Sequence, residues 1–196
     1  IVEDWEKANI TIERLKKFAS KNNRSIKHHL AGILMAESHH YLQFPSEVNE
    51  LSKIKAIIDQ VELHKNSLDR TDVQVIYYNC SYLYLMHGEY KTANRLRREI
   101  AGTIAVYLPR FKTAIRIYEL AINYNLGNFD LLHTLTQQAT RSFRTSPNRD
   151  FLHRLTSLFS KLHGTRSDKD TLNELLELCT NVEYDQIEHR EVFDLI

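Results

Sequence analysis

The chain has 196 residues, of which 26 are lysine or arginine, 25 are aspartate or glutamate and 42% are hydrophobic. This length suffices for one domain with a continuous core or for a short repeat array, and the composition is that of a folded globular protein. No run approaches the roughly 18 uncharged apolar residues of a membrane-spanning helix. The composition therefore excludes a disordered chain, and we expect no membrane partner.

The two cysteines and the first residues bear on where the protein works. Cys80 and Cys179 each fall on an apolar helical face, which predicts buried thiols rather than a disulfide and favours a cytoplasmic location. Residues 1–5 lack the charged-then-apolar pattern of a secretory signal, so we expect none. No initiator methionine is present, so we expect the sequence to be part of a longer chain. We expect residues 1–196 to form a single helical-repeat domain, for the reasons given by the spacing of apolar residues below.

Apolar residues recur at spacings of three and four along most of the chain, which is the period of an amphipathic helix. In chain order the stripes are Ile12, Leu15, Phe18 and Ala19; Ile26, Leu30, Ile33 and Leu34; Val48, Leu51, Ile54, Ile58 and Val61; Phe111, Ile115, Tyr118 and Ile122; Phe151, Leu155, Leu158, Phe159 and Leu162; and Leu172, Leu175, Leu176 and Cys179. Only 5 glycines and 3 prolines occur, too few for the many turns of a strand-rich domain. These patterns predict an all-α fold of about ten helices.

Two short segments predict helix boundaries in the first half of the chain. Residues 44–46, Phe-Pro-Ser, are typical of a hairpin turn with Ser46 capping the next helix. Residues 69–72, Asp-Arg-Thr-Asp, predict the start of a further helix pair, with Thr71 or Asp72 as its N-cap.

Glycine and proline alternate in the second half of the chain. Gly88, Gly127 and Gly164 each follow a helical stripe, 39 and 37 residues apart, where glycine suits the left-handed end of a helix. Pro109 and Pro147 fall between these glycines, and proline suits the first turn of a helix. This order indicates stacked antiparallel helix hairpins that repeat about every 38 residues.

The segment Tyr77–Ala93 resembles the tetratricopeptide repeat. In that family an aromatic opens the first helix, a small residue lets the second helix approach, and a second aromatic, a turn glycine, a tyrosine and an alanine follow. These places are taken by Tyr77, Ser81, Tyr84, Gly88, Tyr90 and Ala93. Arg97 and Ile100 stand where the family has an aromatic and another alanine. The resemblance is specific over about 34 residues, extends loosely over residues 25–182, and implies an α–α superhelix of stacked hairpins.

The resemblance also implies a concave surface that binds a protein or a peptide. By that analogy, the residues that face the partner are Tyr78, Asn79, Tyr82 and Met86 in the clearest unit, and Tyr118 and Tyr124 in the next. Tyrosine suits this task because it offers a large contact area with a polar tip. The alternative is that these tyrosines only pack the helices together, and the sequence leaves both interpretations open.

Other kinds of site have less support. Glu37 and His40 have the Glu-x-x-His spacing of di-iron bundles, but the nearest second candidate is the weaker pair Asp130 and His133, so we expect no metal and no cofactor. Cys80 sits where the repeat needs an apolar contact, and no phosphate-cradling glycine loop or nucleophile elbow occurs. We therefore predict that the chain is not an enzyme and has no catalytic residues.

Charge is distributed unevenly, with a basic middle and an acidic end. The positive charge is concentrated in Arg95, Arg97, Arg98, Arg110 and Arg116. A nucleic-acid surface is one interpretation, but we favour ordinary outer-face charges and do not expect nucleic acid as a partner.

The predicted function is a non-catalytic scaffold that binds a protein or peptide. The alternative is a peptide-sensing regulatory domain of a larger transcriptional or signalling protein.

Overall fold

The computed structural model describes residues 2–21, 26–43, 51–100, 111–145, 149–162 and 169–180. Within these ranges the chain forms nine α-helices and no β-strand, so the predicted all-α class is confirmed. The helices are α1 (Val2–Lys21), α2 (Ile26–Gln43), α3 (Leu51–His64), α4 (Arg70–Met86), α5 (Tyr90–Ile100), α6 (Phe111–Asn125), α7 (Phe129–Ser142), α8 (Arg149–Lys161) and α9 (Lys169–Thr180). None of these helices combines the length and hydropathy needed to cross a bilayer.

The helices belong to two compact units. The first unit, Ile1–Tyr107, contains α1 to α5, and the second unit, Leu108–Ile196, contains α6 to α9. In the first unit α4 contacts α2, α3 and α5, while α1 packs on α2. In the second unit each helix packs on the next, α6 on α7, α7 on α8 and α8 on α9. The tetratricopeptide-type superhelix and the single domain both stay predictions.

Helix α4 is the centre of the first unit, and its start differs from the prediction. The N-cap is Asp69, whose side chain accepts a hydrogen bond of 2.8 Å from the backbone N–H of Thr71. The predicted caps, Thr71 and Asp72, lie inside the first turn. Asp69 is the N-cap because its backbone is extended and its short carboxylate reaches a backbone N–H that the helix leaves unpaired.

The second half of α4 is buried on every side. All residues from Ile76 to Leu85 are buried. A helix that is buried all round needs neighbours on each face, and α2, α3 and α5 provide them. Each large apolar side chain so enclosed contributes roughly 1.5–3 kcal/mol of transfer free energy.

A glycine turn joins α4 to α5. Gly88 has a φ of 75°, in the left-handed region that disfavours other residues. The N–H of Gly88 donates to the carbonyl of Leu85 at 3.0 Å, and the N–H of Glu89 donates to the carbonyl of Tyr84 at 2.9 Å. This pair of bonds is the Schellman motif, which satisfies carbonyls that the end of a helix leaves unpaired.

The same turn joins α6 to α7 in the second unit. Gly127 has a φ of 72°, and its N–H donates to the carbonyl of Tyr124 at 3.0 Å. The N–H of Asn128 donates to the carbonyl of Asn123, also at 3.0 Å. In both turns the aromatic residue two positions after the glycine lies against it, Phe129 here and Tyr90 in the first unit. The left-handed caps predicted at the two glycines are therefore present.

Small residues let α5 approach α4. Ser81 and Ala93 are fully buried, and the hydroxyl of Ser81 donates to the carbonyl of Ala93 at 2.9 Å. A larger side chain at either position would separate the two backbones. The other predicted breakers, Pro109, Pro147 and Gly164, and residues 44–46 lie outside the described ranges.

We expect Gly88→Ala to lower the free energy of unfolding by about 1–2 kcal/mol, because alanine is strained at the positive φ of the turn. Gly32→Ala in α2 is the matched control, since Gly32 has no positive φ and no atom lies within 4 Å of an added Cβ. That control is expected to raise the free energy of unfolding by about 0.5–1 kcal/mol. Urea unfolding followed by circular dichroism measures both, and effects of the same sign would contradict the capping role.

Candidate functional site

The predicted partner-binding residues of the first unit all lie on α4, but their exposure differs. Tyr78, Asn79 and Tyr82 are 1%, 6% and 2% exposed. Met86, in the last turn of the helix, is 40% exposed. Among these four side chains, only Met86 therefore offers substantial surface to a partner in this conformation.

Asn79 makes a structural contact between helices. Its Nδ2 donates to the hydroxyl of Ser38 on α2 at 3.0 Å, and both side chains are buried. The hydroxyl of Ser38 donates in turn to the carbonyl of Met35 at 3.0 Å. This short chain of hydrogen bonds fixes the level at which α2 and α4 face each other.

The two predicted residues of the second unit lie on α6. Tyr118 is 1% exposed. Tyr124 is half-buried, and its ring meets Phe129 of α7 and Phe159 of α8 edge to face, with centroids 6.2 and 6.3 Å away. Tyr124 therefore packs the helices around the Gly127 turn. Partner binding by the six predicted residues stays a prediction, and packing accounts for the contacts described for Asn79 and Tyr124.

Burial also perturbs the ionisation of tyrosines in the first unit. Burial raises the pKa of Tyr77, Tyr84 and Tyr41 above the ordinary value. A hydrogen bond adds to this effect in two of them, because Tyr77 donates to Glu62 and Tyr41 donates to Glu37. The three phenols are thus held neutral by the fold.

Glu37 is held by neighbouring side chains of the first unit. Its carboxylate accepts from Lys16 Nζ at 2.9 Å and from the hydroxyl of Tyr41 at 3.2 Å. His40 is 6% exposed, and burial lowers its pKa. In the part of the chain that the structure describes, no group of three or more His, Cys, Asp or Glu is placed to hold a metal ion.

Cys80 is fully buried in α4, and this burial raises the pKa of its thiol. The thiolate, which is the nucleophilic form, is therefore suppressed. The structure places Cys80 in the core, so the predicted burial of this thiol is confirmed.

The arginines of the predicted basic middle differ in exposure and in pairing. Arg97 is 9% exposed, and Arg116 pairs with Glu119 at 2.6 Å. Arg110 lies outside the described ranges. The exposed members of the set are Arg95 and Arg98. Burial and pairing thus remove part of the charge that a nucleic-acid surface would use.

A polar cleft between α7 and α8 was not predicted from the sequence. Its volume is about 430 Å³. The lining residues are Thr136, Gln137, Thr140, Arg141, Arg144, His153, Thr156, Ser157 and Ser160. Their spacing of three and four on both helices is a signal that the sequence does contain. It is hard to recognise because exposed helix faces are usually polar in the same pattern.

Comparison with protein-family models, with curated proteins and with solved structures found no significant match to this chain.

We expect Asn79→Ala to lower the free energy of unfolding by about 1–3 kcal/mol, because it removes a buried donor to Ser38. In a Ser38→Ala background the same substitution should cost about 1 kcal/mol less, since the hydrogen bond is already gone. Chemical denaturation of the four proteins of this cycle measures the coupling. Strictly additive effects would show that the bond does not connect the two helices energetically.

The raised pKa values of the tyrosines predict a loss of stability at alkaline pH. A tyrosine of the unfolded chain ionises near its ordinary pKa of 10.0, while the same phenol stays neutral in the folded state. Above that pH the folded chain binds more protons than the unfolded chain, so the stabilisation is complete below the unfolded pKa and is lost as pH rises.

The measurement is denaturant unfolding at several pH values between about 8 and 11, with tyrosinate absorbance recorded in parallel. Tyr77→Phe should make the alkaline decline shallower, because one of the shifted groups is removed. A free energy of unfolding that is constant across this range would contradict the prediction.

Proposed function

We propose that the chain is a helical-repeat scaffold that binds a protein or peptide and has no catalytic activity of its own. The observation that carries this proposal is the same Schellman turn in two helix hairpins, at Gly88 and at Gly127. Repeated hairpins bury their apolar faces against neighbouring helices and leave extended outer surfaces for recognition. The resemblance of Tyr77–Ala93 to the tetratricopeptide repeat supports the same function.

The contact surface we propose in the first unit is the end of α4 at Met86. This side chain is 40% exposed and directly follows the segment of α4 that is buried from Ile76 to Leu85. Methionine suits recognition of varied apolar side chains, because it is flexible and polarizable. The neighbouring buried tyrosines hold the backbone of α4 in place and so preorganise this end of the helix.

We propose the cytoplasm as the compartment. The support is the buried, unpaired thiol of Cys80, because proteins of reducing compartments keep such thiols free.

The proposal is tested by selecting peptides from a random display library against the full chain and measuring their affinity by fluorescence anisotropy. Met86→Ala is expected to weaken a selected peptide by about 1 kcal/mol, roughly fivefold in Kd, because an apolar contact is truncated.

Leu63→Ala is the matched control. Leu63 is also a large apolar side chain, 71% exposed, and it lies on α3 outside the proposed surface. The control should leave the affinity unchanged. Equal losses for the two variants, or a library that yields no saturable binder, would contradict the proposed function.

A further inference from the structure

The cleft between α7 and α8 has a floor built from hydroxyl groups. Thr140 and Thr156 meet across the two helices with their Oγ1 atoms 3.1 Å apart. Thr136 donates to the carbonyl of His133 at 2.7 Å, and Thr156 lies 3.0 Å from the carbonyl of Leu152. These bonds belong to the helices themselves, so the floor is polar and rigid without any bound group.

The rim of the cleft carries positive charge that the described fold does not use. Arg141 and Arg144 both line the cleft and are exposed, and its described lining residues include no acidic one. The ion pairs described in the second unit are formed by Arg116, Arg154 and Lys161 instead. Among the described residues neither rim guanidinium group forms an ion pair, so both can donate hydrogen bonds to a ligand.

The opposite rim adds neutral donors and one unsatisfied nitrogen. Ser157 and Ser160 lie on the exposed face of α8 at the cleft. His153, one turn before Ser157, also lines the cleft, and its Nε2 is buried without a hydrogen-bond partner among the described residues. A buried polar atom without a partner is rare in folded proteins and is often satisfied by a ligand or water.

We propose that this cleft binds a phosphoryl group. Arg141 would approach the anion from the last turn of α7 and Arg144 from the 3-10 turn that follows it, while His153 and the two serines would donate from α8. A tetrahedral phosphate has acceptor oxygens pointing in several directions and so suits donors that converge from two helices, whereas a carboxylate is planar. The volume of about 430 Å³ also leaves room for the group that carries the phosphate. This inference does not depend on the peptide surface at Met86.

The experiment titrates the full chain with inorganic phosphate, phosphoserine and a nucleoside monophosphate, with acetate as the carboxylate arm. The readout is the ¹⁵N resonance of the His153 ring, assigned by its absence in His153→Gln. Saturable shifts with phosphate, and stronger binding of phosphate or either monoester than of acetate, are expected. The monoester that binds more tightly identifies the source of the phosphoryl group. Tighter binding of acetate, or shifts that do not saturate, would overturn the proposal.

Arg141→Gln and Arg144→Gln are each expected to weaken phosphate binding about tenfold, the usual cost of losing a charge-assisted hydrogen bond. Both side chains are exposed, so these variants should keep the circular dichroism spectrum of the parent chain. Arg98→Gln removes the same charge from the exposed face of α5 and should leave binding unchanged. Equal weakening by Arg98→Gln would show nonspecific attraction and sink the proposal.

Discussion

The enclosure of α4 is the constraint on which the first unit depends. A helix buried from Ile76 to Leu85 has no face left for solvent, so three other helices must reach it. Each neighbour is held by a specific contact in addition to apolar packing. The side chain of Asn79 joins α4 to α2, and Tyr77 joins it to Glu62 of α3. The hydroxyl of Ser81 joins it to α5. Polar contacts are needed here because apolar packing alone does not define the register between helices.

Tyrosine makes this arrangement possible and also limits it. Its ring fills the space between helices, but its hydroxyl requires a partner once it is buried. In the first unit that partner is a carboxylate near the surface, Glu62 for Tyr77 and Glu37 for Tyr41. Burial raises the pKa of both tyrosines, and the carboxylate raises it further because the neutral phenol donates to it.

Much of the fold could be predicted because the signals are local. Gly88 and Gly127 follow apolar stripes, and only glycine accepts the φ that each turn requires. Other features depend on tertiary context. The sequence left open whether Tyr78 and Tyr82 pack the helices or face a partner, because a helix enclosed on all sides has no amphipathic stripe that separates an inner from an outer face. The cap at Asp69 was missed because three polar residues of that segment are good caps, and the backbone chooses among them.

The polar residues that stand out in the sequence and the polar residues that line the α7–α8 cleft have different roles in the structure. In the first unit Asn79 and Tyr77, which stand out in the sequence, form hydrogen bonds to neighbouring helices. Such residues attract attention in a sequence because they are unusual for a helix interior, yet a satisfied group has little left to offer a ligand. In the second unit the residues of the α7–α8 cleft look ordinary in the sequence, but His153 keeps an unsatisfied nitrogen beside the guanidinium groups of the rim. Under the proposed phosphoryl binding, the site is marked by a hydrogen-bonding group that the described fold leaves unsatisfied rather than by unusual composition.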